Sequence, residues 1–503
     1  MLGHKKTEPK LFYNLSLESL VPEDNYYRIL LSILDLDFLY RRCGIYYGST
    51  GNPSLDPTVF FRICLYGYLE GIKSDRALVK KLADSLSGRL FIGYDIDEEL
   101  PWHSSISRTR ALLPEEIFEE LFRDVLAMCV KAGMVSGTGQ SVDSTLVKAN
   151  ASLDSIEPKK PDMSIEEYIE QTIRENDIEK ENQDEYDNDK GNDLDEVIKP
   201  ESDKEDDKSK EKAKKLNEEY YSPTDPDSRI AQKPGTPVNL YYSDQISVDT
   251  KKGIITSVTA VHADRNDNEV LLDVVNKSRE NMRMLGLDVQ AILADGNYLS
   301  AENLKDLKQR GIIAYIAPDR RQNKKATFSR DVDFIYDAQK DLYMCKSGRE
   351  LTYAGFDKDK QMEVYRAKKE DCDNCPLRSR CCGGESSRRI KHTIYKDEVE
   401  EFMEFSKTGN FKYAMRKRKS TVERAFAEAK DNHTLRRLNV RGISGAQKVF
   451  TMIAIVQNLK KLIRYGTKKL KEKEKQLLQM DKIKDILIAS EDLIFKMPIY
   501  FSI

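Results

Sequence analysis

The stretch from Asp154 to Tyr220 most limits what this chain can fold into. It holds 25 acidic and 12 basic residues and only scattered Ile, Leu, Val and Tyr. Such a composition cannot offset the entropy of ordering, so the stretch is expected to be mostly disordered or an exposed pair of charged helices. Any sheet must therefore recruit strands from both sides of it. The segment also hides the charge of the remainder. Its net charge of about −13, against −3 for all 503 residues, leaves about +10 for the rest. A basic globular part suits a nucleic-acid partner.

Before the acidic stretch the pattern is helical. Asp56-Pro57 is an N-cap followed by a first-turn proline, opening TVFFRICLYGYLEG. DRALVKKLADSL follows with Leu78, Leu82 and Leu86 at helical spacing, then HSSISRTRALL with Ser104 or Ser105 as cap. Short helices with tight links and outward Lys80, Lys81, Arg108 and Arg110 read as a helix-turn-helix-type DNA-binding unit, the alternative being a plain helical bundle. Trp102 and His103 read as packing and capping residues. PEEIFEELFRDVLAMCVKAG is amphipathic, with Ile117, Leu121, Val125 and Cys129 on one face and Gly133 at its end.

Strand signals start at Thr138 to Val142, running into Asp143. They resume at Val238–Val248 and Gly253–His262, then a helix, then Val289–Ala294 ending in Asp295, a helix capped by Ser300, and Ile312–Ala317. This order predicts a mixed α/β sheet of ribonuclease H-like type, with the first strand beside the fourth. From Pro318 to Lys396 the pattern breaks into short polar pieces. Helices return near Glu398. In RKRKSTVERAFAEAK, Val422, Phe426 and Ala429 form a core-facing stripe, with Glu423, Ala427 and Lys430 on its neighbour. VFTMIAIVQNLKKLIRYG is a strongly apolar helix expected to pack beneath. The expected divisions are a helical DNA-binding domain over 1–134, the sheet core in 135–153 and 221–318, the acidic insertion 154–220, a Cys-rich insertion 319–397, C-terminal helices 398–465 and a charged tail 466–503.

Two constellations carry chemistry. Asp143, Asp295 and Glu423 would repel one another if brought together, unless cations join them. Two divalent ions about 4 Å apart resolve the repulsion and create a phosphoryl-transfer site, and oxygen ligands favour Mg2+ or Mn2+. The alternative gives each carboxylate a cap, turn or surface-pair role. The second constellation is Cys372-x-x-Cys375 with Cys381 and Cys345, a set that would close a structural Zn2+ site, the alternative being reduced free thiols. Cys382 is an alternative to Cys381, while Cys43, Cys64 and Cys129 read as core. His262 and His433 read as structural. No glycine loop for a nucleotide appears. The chain shows no apolar run long enough for a bilayer and no secretory start, so a bacterial cytoplasmic location is expected.

Five motifs stand in one order: DPTVFFRICLYGYLEGIKSDRALVKKL, SVDSTLVKANAS, LADGNYLS, MRKRKSTVERAFAEAKDNHTLRRLNVRG and VFTMIAIVQNLKKL. Together they resemble the DDE transposases of bacterial insertion sequences, in the group numbered eleven eighty-two among the IS-four and IS-five kin. The resemblance implies Asp143, Asp295 and Glu423 as catalytic metal ligands, with Arg418 and Lys430 on DNA phosphates and Arg416 in the same cationic run. It implies the element's terminal inverted repeats and target DNA as partners, and a homodimer on paired ends. Related families place a tyrosine and an arginine at fixed offsets before the glutamate. Here Tyr413, Arg416 and Arg418 are shifted, whereas Lys430 falls where the trailing lysine is expected. The rival readings are a catalytically decayed, sequence-specific repressor and a nuclease without strand transfer.

Overall fold

A computed structural model describes residues 15–48, 50, 54–159, 206–233, 236–318, 334–357, 362–382 and 385–466. Most of the acidic stretch and the charged tail lie outside these residues. The N-terminal part is helical: α1 (Tyr26–Ile33), α2 (Pro57–Leu69), α3 (Asp75–Ala83), α4 (His103–Leu112) and α5 (Glu115–Lys131), with shorter helices between. Asp56 caps α2 by accepting from the Thr58 and Val59 N–H groups, with Pro57 in the first turn. Leu78 and Leu82 are buried, but Leu86 is exposed, because α3 ends at Ala83 and Leu86 opens a separate short helix. The cap of α4 is Trp102, two to three residues earlier than Ser104 or Ser105, and its side chain makes no capping bond. Its indole is 70% exposed, so it packs little. Gly133 follows α5 at φ +72, the left-handed conformation a glycine takes without strain.

The main sheet assembles β1 (Gln140–Lys148), β2 (Asn239–Asp249), β3 (Ile255–His262), β4 (Ala291–Ala294) and β5 (Ile313–Ile316) in the order β3-β2-β1-β4-β5, with Arg229–Ala231 as an added edge piece on β2. β2 runs antiparallel to both β1 and β3, while β4 lies parallel to β1 and β5 parallel to β4. This is the expected order, with the first strand beside the fourth. Helix α6 (Asp206–Glu219) runs before the edge piece. α7 (Asp267–Arg283) follows β3, and α8 (Ala301–Gln309) joins β4 to β5.

At the end of the acidic stretch Asp206–Glu219 takes the second of the two expected forms, a charged helix. Asn217 is buried and exchanges two hydrogen bonds with the Ile230 backbone. One amide thus anchors an otherwise polar helix to the sheet edge.

The cysteine-rich stretch is also more ordered than its polarity suggests. It forms an antiparallel sheet of β6 (Phe334–Asp337), β7 (Leu342–Cys345), β8 (Glu350–Asp357), β9 (Met362–Ala367) and β10 (Arg389–Thr393), with neighbours in chain order. A small core of its own, including Phe334, Tyr343, Leu351 and Tyr365, holds it. Then come α9 (Lys396–Ser406), α10 (Gly409–Asn432) and α11 (residues 442–466). Val422, Ala425, Phe426 and Ala429 are the buried stripe of α10. Gln457 of α11 donates to the Ala425 carbonyl at 3.0 Å. One apolar core runs through the N-terminal helices, the main sheet and α11. Among the described residues no helix is long and apolar enough to cross a membrane.

Candidate functional site

Parallel pairing sets Ser141 of β1 against Leu293 of β4. Two residues further along, the same register brings Asp143 beside Asp295. Neighbouring strands lie about 4.8 Å apart, and residues two apart share a face. Asp143 is not at a strand end, as expected, but inside β1, with Ile246 of β2 on its other side. Asp295 lies just past β4 and caps a single turn by accepting from the Asn297 N–H at 3.0 Å.

Both carboxyls are held above their ordinary range. Burial pushes Asp143 up to about 6, and the neighbouring Asp295 adds to it. The Ser144 N–H, Arg418 and Lys233 pull the other way. Burial also raises Asp295, followed by the charge of Asp267. Two carboxylates that burial and mutual repulsion both penalise form a place where added positive charge is favoured.

Cations converge on this pair. Arg418 of α10 places Nη1 3.5 Å from Asp143 Oδ2, with both side chains largely buried. Its Nε has no hydrogen-bond partner among the described residues. Lys233 donates to Ser144 Oγ at 2.9 Å. Lys430 is half-buried, and burial with the charges of Lys233 and Arg436 lowers its pKa, opposed by Asp244 and Asp143. Asp244 of β2 pairs across from Thr145, on the Asp143 face of the sheet. It is buried, its Oδ1 has no partner among the described residues, and its pKa is pushed up to about 8.

A second layer lies on the opposite face. Asp267, first residue of α7, accepts from Ser144 Oγ at 2.8 Å and Gln245 Nε2 at 3.0 Å. Gln245 Oε1 accepts from the buried Tyr298 hydroxyl at 2.6 Å. Ser144 adjoins Asp143, and Tyr298 closes the turn capped by Asp295. Asp267 and Gln245 therefore tie the supports of both aspartates together. Sequence reasoning missed Asp267, Gln245, Lys233 and Asp244. Their only advance signal was being polar residues within or beside strands.

The other expected residues fall as follows. Glu423 is exposed on α10, one turn beyond Arg418, and its side chain makes no hydrogen bond or ion pair among the described residues. It shares a helix edge with Lys430 but is not brought against the aspartates. Arg416 is exposed, with Nε 3.4 Å from the Lys412 carbonyl. Arg108 is exposed and folds back onto Ser104. Arg110 corrects its expected outward position. It turns inward, bidentate to Asp75 at 2.8 and 2.9 Å, because Asp75 opens the neighbouring helix at its side.

Cys345, Cys372, Cys375, Cys381 and Cys382 all line one cavity of about 30 Å³ beside β7 and β9. The Arg349 N–H points to Cys345 Sγ at 3.3 Å and the Arg388 N–H to Cys372 Sγ at 3.4 Å. The thiols expected at a zinc centre gather around this cavity. Among the described residues no three or more His, Cys, Asp or Glu side chains are grouped to hold a metal ion. The same holds for Asp143, Asp295 and Glu423 as they stand. The two aspartates fit a divalent cation by donor type and by charge, whereas Glu423 would have to approach.

Two family models match parts of the chain. A family model described as a transposase domain (DUF772) matches residues 15–112, from the short helix Leu17–Leu20 through α4. A second, described as a transposase DDE domain, matches residues 344–463, from β7 through α11 with Glu423 inside it. Neither match reaches Asp143 or Asp295. No curated protein matches the chain.

Proposed function

The chain belongs to the DDE transposases of insertion sequences, and on that footing we propose that Asp143, Asp295 and Glu423 are its catalytic ligands. The family works on DNA with divalent metal ions. The observation that carries the residue assignment is the register of β1 against β4, which sets two buried, mutually repelling carboxyls side by side beneath Arg418. Divalent ions of the magnesium or manganese kind, when bound, activate the attacking water or 3′-hydroxyl and stabilise the leaving oxygen.

The chain's own residues do the rest. Asp143 and Asp295 hold one edge of the site rigidly, because one lies within a central strand and the other caps a turn pinned by Tyr298. Glu423, exposed on α10, completes the set only by approaching the aspartates. Arg418 offsets the carboxylate charge before DNA arrives. Lys430 beside Asp244 and Asp143, and Lys233 on Ser144, supply the charge that neutralises the strand being cut. Arg416 and Arg108 are exposed cations for the flanking duplex. The helical domain of residues 1–134 supplies DNA binding, and the reaction is cleavage at the element's terminal inverted repeats followed by strand transfer into target DNA. Two copies on paired ends, and membership of the group numbered eleven eighty-two, complete the reading.

Cleavage of a labelled duplex carrying the element's end tests it. Asp143→Asn and Asp295→Asn should each abolish Mg2+- or Mn2+-dependent cutting while leaving duplex binding intact. The double variant should be no worse than either single one, since the ligands act as a unit. A wild-type protein that binds this duplex but never cuts it would favour a decayed repressor.

A further inference from the structure

The residues 434–441, between α10 and α11, form a strap whose backbone is tied on two sides. Toward the sheet, the Lys148 N–H donates to the Arg436 carbonyl at 3.3 Å and the Leu438 N–H to the Lys148 carbonyl at 2.9 Å. Arg437 thereby pairs in parallel with the last residue of β1. Asn150 Nδ2 adds a bond to the Asn439 carbonyl at 3.3 Å. Toward the helical domain, Asn439 Nδ2 donates to the Lys73 carbonyl at 2.9 Å. His433, fully buried, donates from Nδ1 to the Tyr68 carbonyl at 2.7 Å. Gly71 approaches so closely that a Cβ there would stand 2.8 Å from the Asn432 carbonyl oxygen.

This joint stores a local cost. Thr434 is held at φ +66, a region that β-branched residues avoid. Buried His433 and Leu435 on either side keep it there. Backbone held against its preference by its surroundings is a feature of functional sites.

What the joint presents outward is positive. Arg437, Arg441 and Lys73 are exposed and Lys148 is half-exposed. None of the four makes an ion pair among the described residues, whereas Arg436 is occupied by Asp431 at 2.6 Å. Lys148 lies five residues along β1 from Asp143. At about 3.3 Å per residue that is roughly 17 Å along the strand, with the Lys148 side chain on the Ser144 face.

We propose that the 434–441 strap is a clamp for the DNA backbone. Arg437 and Lys148, at the end of β1, hold phosphates of the duplex that leads to the site, and Lys73 passes the same duplex to the N-terminal helices. The clamp rests on the transposase reading and extends it. It makes the joint between domains part of the DNA path, so that the duplex is fixed relative to Asp143 by the strand that carries Asp143.

The test is the salt dependence of binding by the full chain to a labelled mixed-sequence duplex of about 40 base pairs, without metal. Arg437→Gln and Lys148→Gln should each weaken binding about 3- to 10-fold near 100 mM salt. Each should flatten the plot of log affinity against log salt by about one, and the double variant by about two. Arg437→Lys should restore the slope. Thermal midpoints should be unchanged, because neither side chain makes an internal bond. Arg437→Met, which keeps the aliphatic stem, takes the place of any variant that unfolds. Wild-type slopes retained by the folded variants would overturn the clamp and leave the transposase reading standing. A wild-type protein with no affinity for duplex DNA would overturn the reading itself.

Discussion

Arg418 lies 3.5 Å from Asp143, a cation from the last third of the chain set against a carboxyl from the first. The pairing is not enough to keep Asp143 in its ordinary range, since burial still pushes it up to about 6. The native state therefore binds this proton more tightly than the unfolded chain does. That contribution to stability is fully present below the unfolded value of about 4 and is lost as pH rises through 6. At pH 7 the charged form costs on the order of 2 kcal/mol.

Asp143→Asn should accordingly stabilise the metal-free protein at pH 7 by about 1–2 kcal/mol and leave it unchanged near pH 4. Denaturant melts at the two pH values measure this. Equal stability of variant and wild type at both would show that Asp143 is not penalised by its setting.

Asp267 gives a different signature. It touches neither aspartate by hydrogen bond, yet it accepts from Ser144 and Gln245, which support both. Asp267→Ala should take an acceptor from the half-buried Ser144 hydroxyl and from Gln245 Nε2, which keeps Ser243, and cost about 1–3 kcal/mol. It should also slow cleavage roughly 10- to 100-fold with DNA affinity unchanged, the usual scale for a residue that orients a ligand. Single-turnover cleavage alongside a binding isotherm separates the two effects.

These residues also show what the sequence made legible. Asp295 was readable because an apolar run ends in Asp-Gly, which fixes both a strand and its turn. The buried stripe of α10 was readable because helical spacing repeats over several turns. Asp267 carries no such mark, since an acidic residue opening a helix is the commonest of capping signals. Its role comes from Ser144 and Gln245, residues 123 and 22 positions away. The sheet of β6–β10 escaped because its strands bury only one or two residues each, among them Phe334, Tyr343, Leu351, Tyr365 and Ile390, so no segment alternates strongly. Glu423 is the reverse case: its motif is legible, but the structure leaves its side chain exposed.

Arg110 shows how side-chain direction defeats a composition argument. It and Arg108 share a helix and a charge, and only their partners differ. The Arg110 and Asp75 side chains are 13% and 18% exposed, so Arg110→Ala would strand a carboxylate. The expected loss is about 3–5 kcal/mol of stability. Arg108→Ala should change stability by less than about 0.5 kcal/mol and act only on DNA binding. Thermal melts of the two variants decide whether Arg110 is structural.

Glu423 and Glu428 should separate activity from stability within one helix. Glu428 lies 2.7 Å from Lys460 Nζ and 3.6 Å from His433 Nε2. The His433 bond, then Lys460, holds its carboxyl down to about 2 despite partial burial. A depressed carboxylate contributes stability that is present above the unfolded value of about 4.3 and lost as pH falls through 2. Glu428→Gln should therefore cost on the order of 2 kcal/mol at pH 7 and progressively less below pH 4. It should still cut DNA once folded. Glu423→Gln should do the opposite. Its exposed carboxylate makes no internal contact, so stability should hold while metal-dependent cleavage falls below detection. Measuring melts and cleavage on both variants tests the third ligand directly. An active Glu423→Gln protein beside an inactive, fully folded Glu428→Gln one would move that ligand from the exposed edge of α10 to the face that meets Lys460.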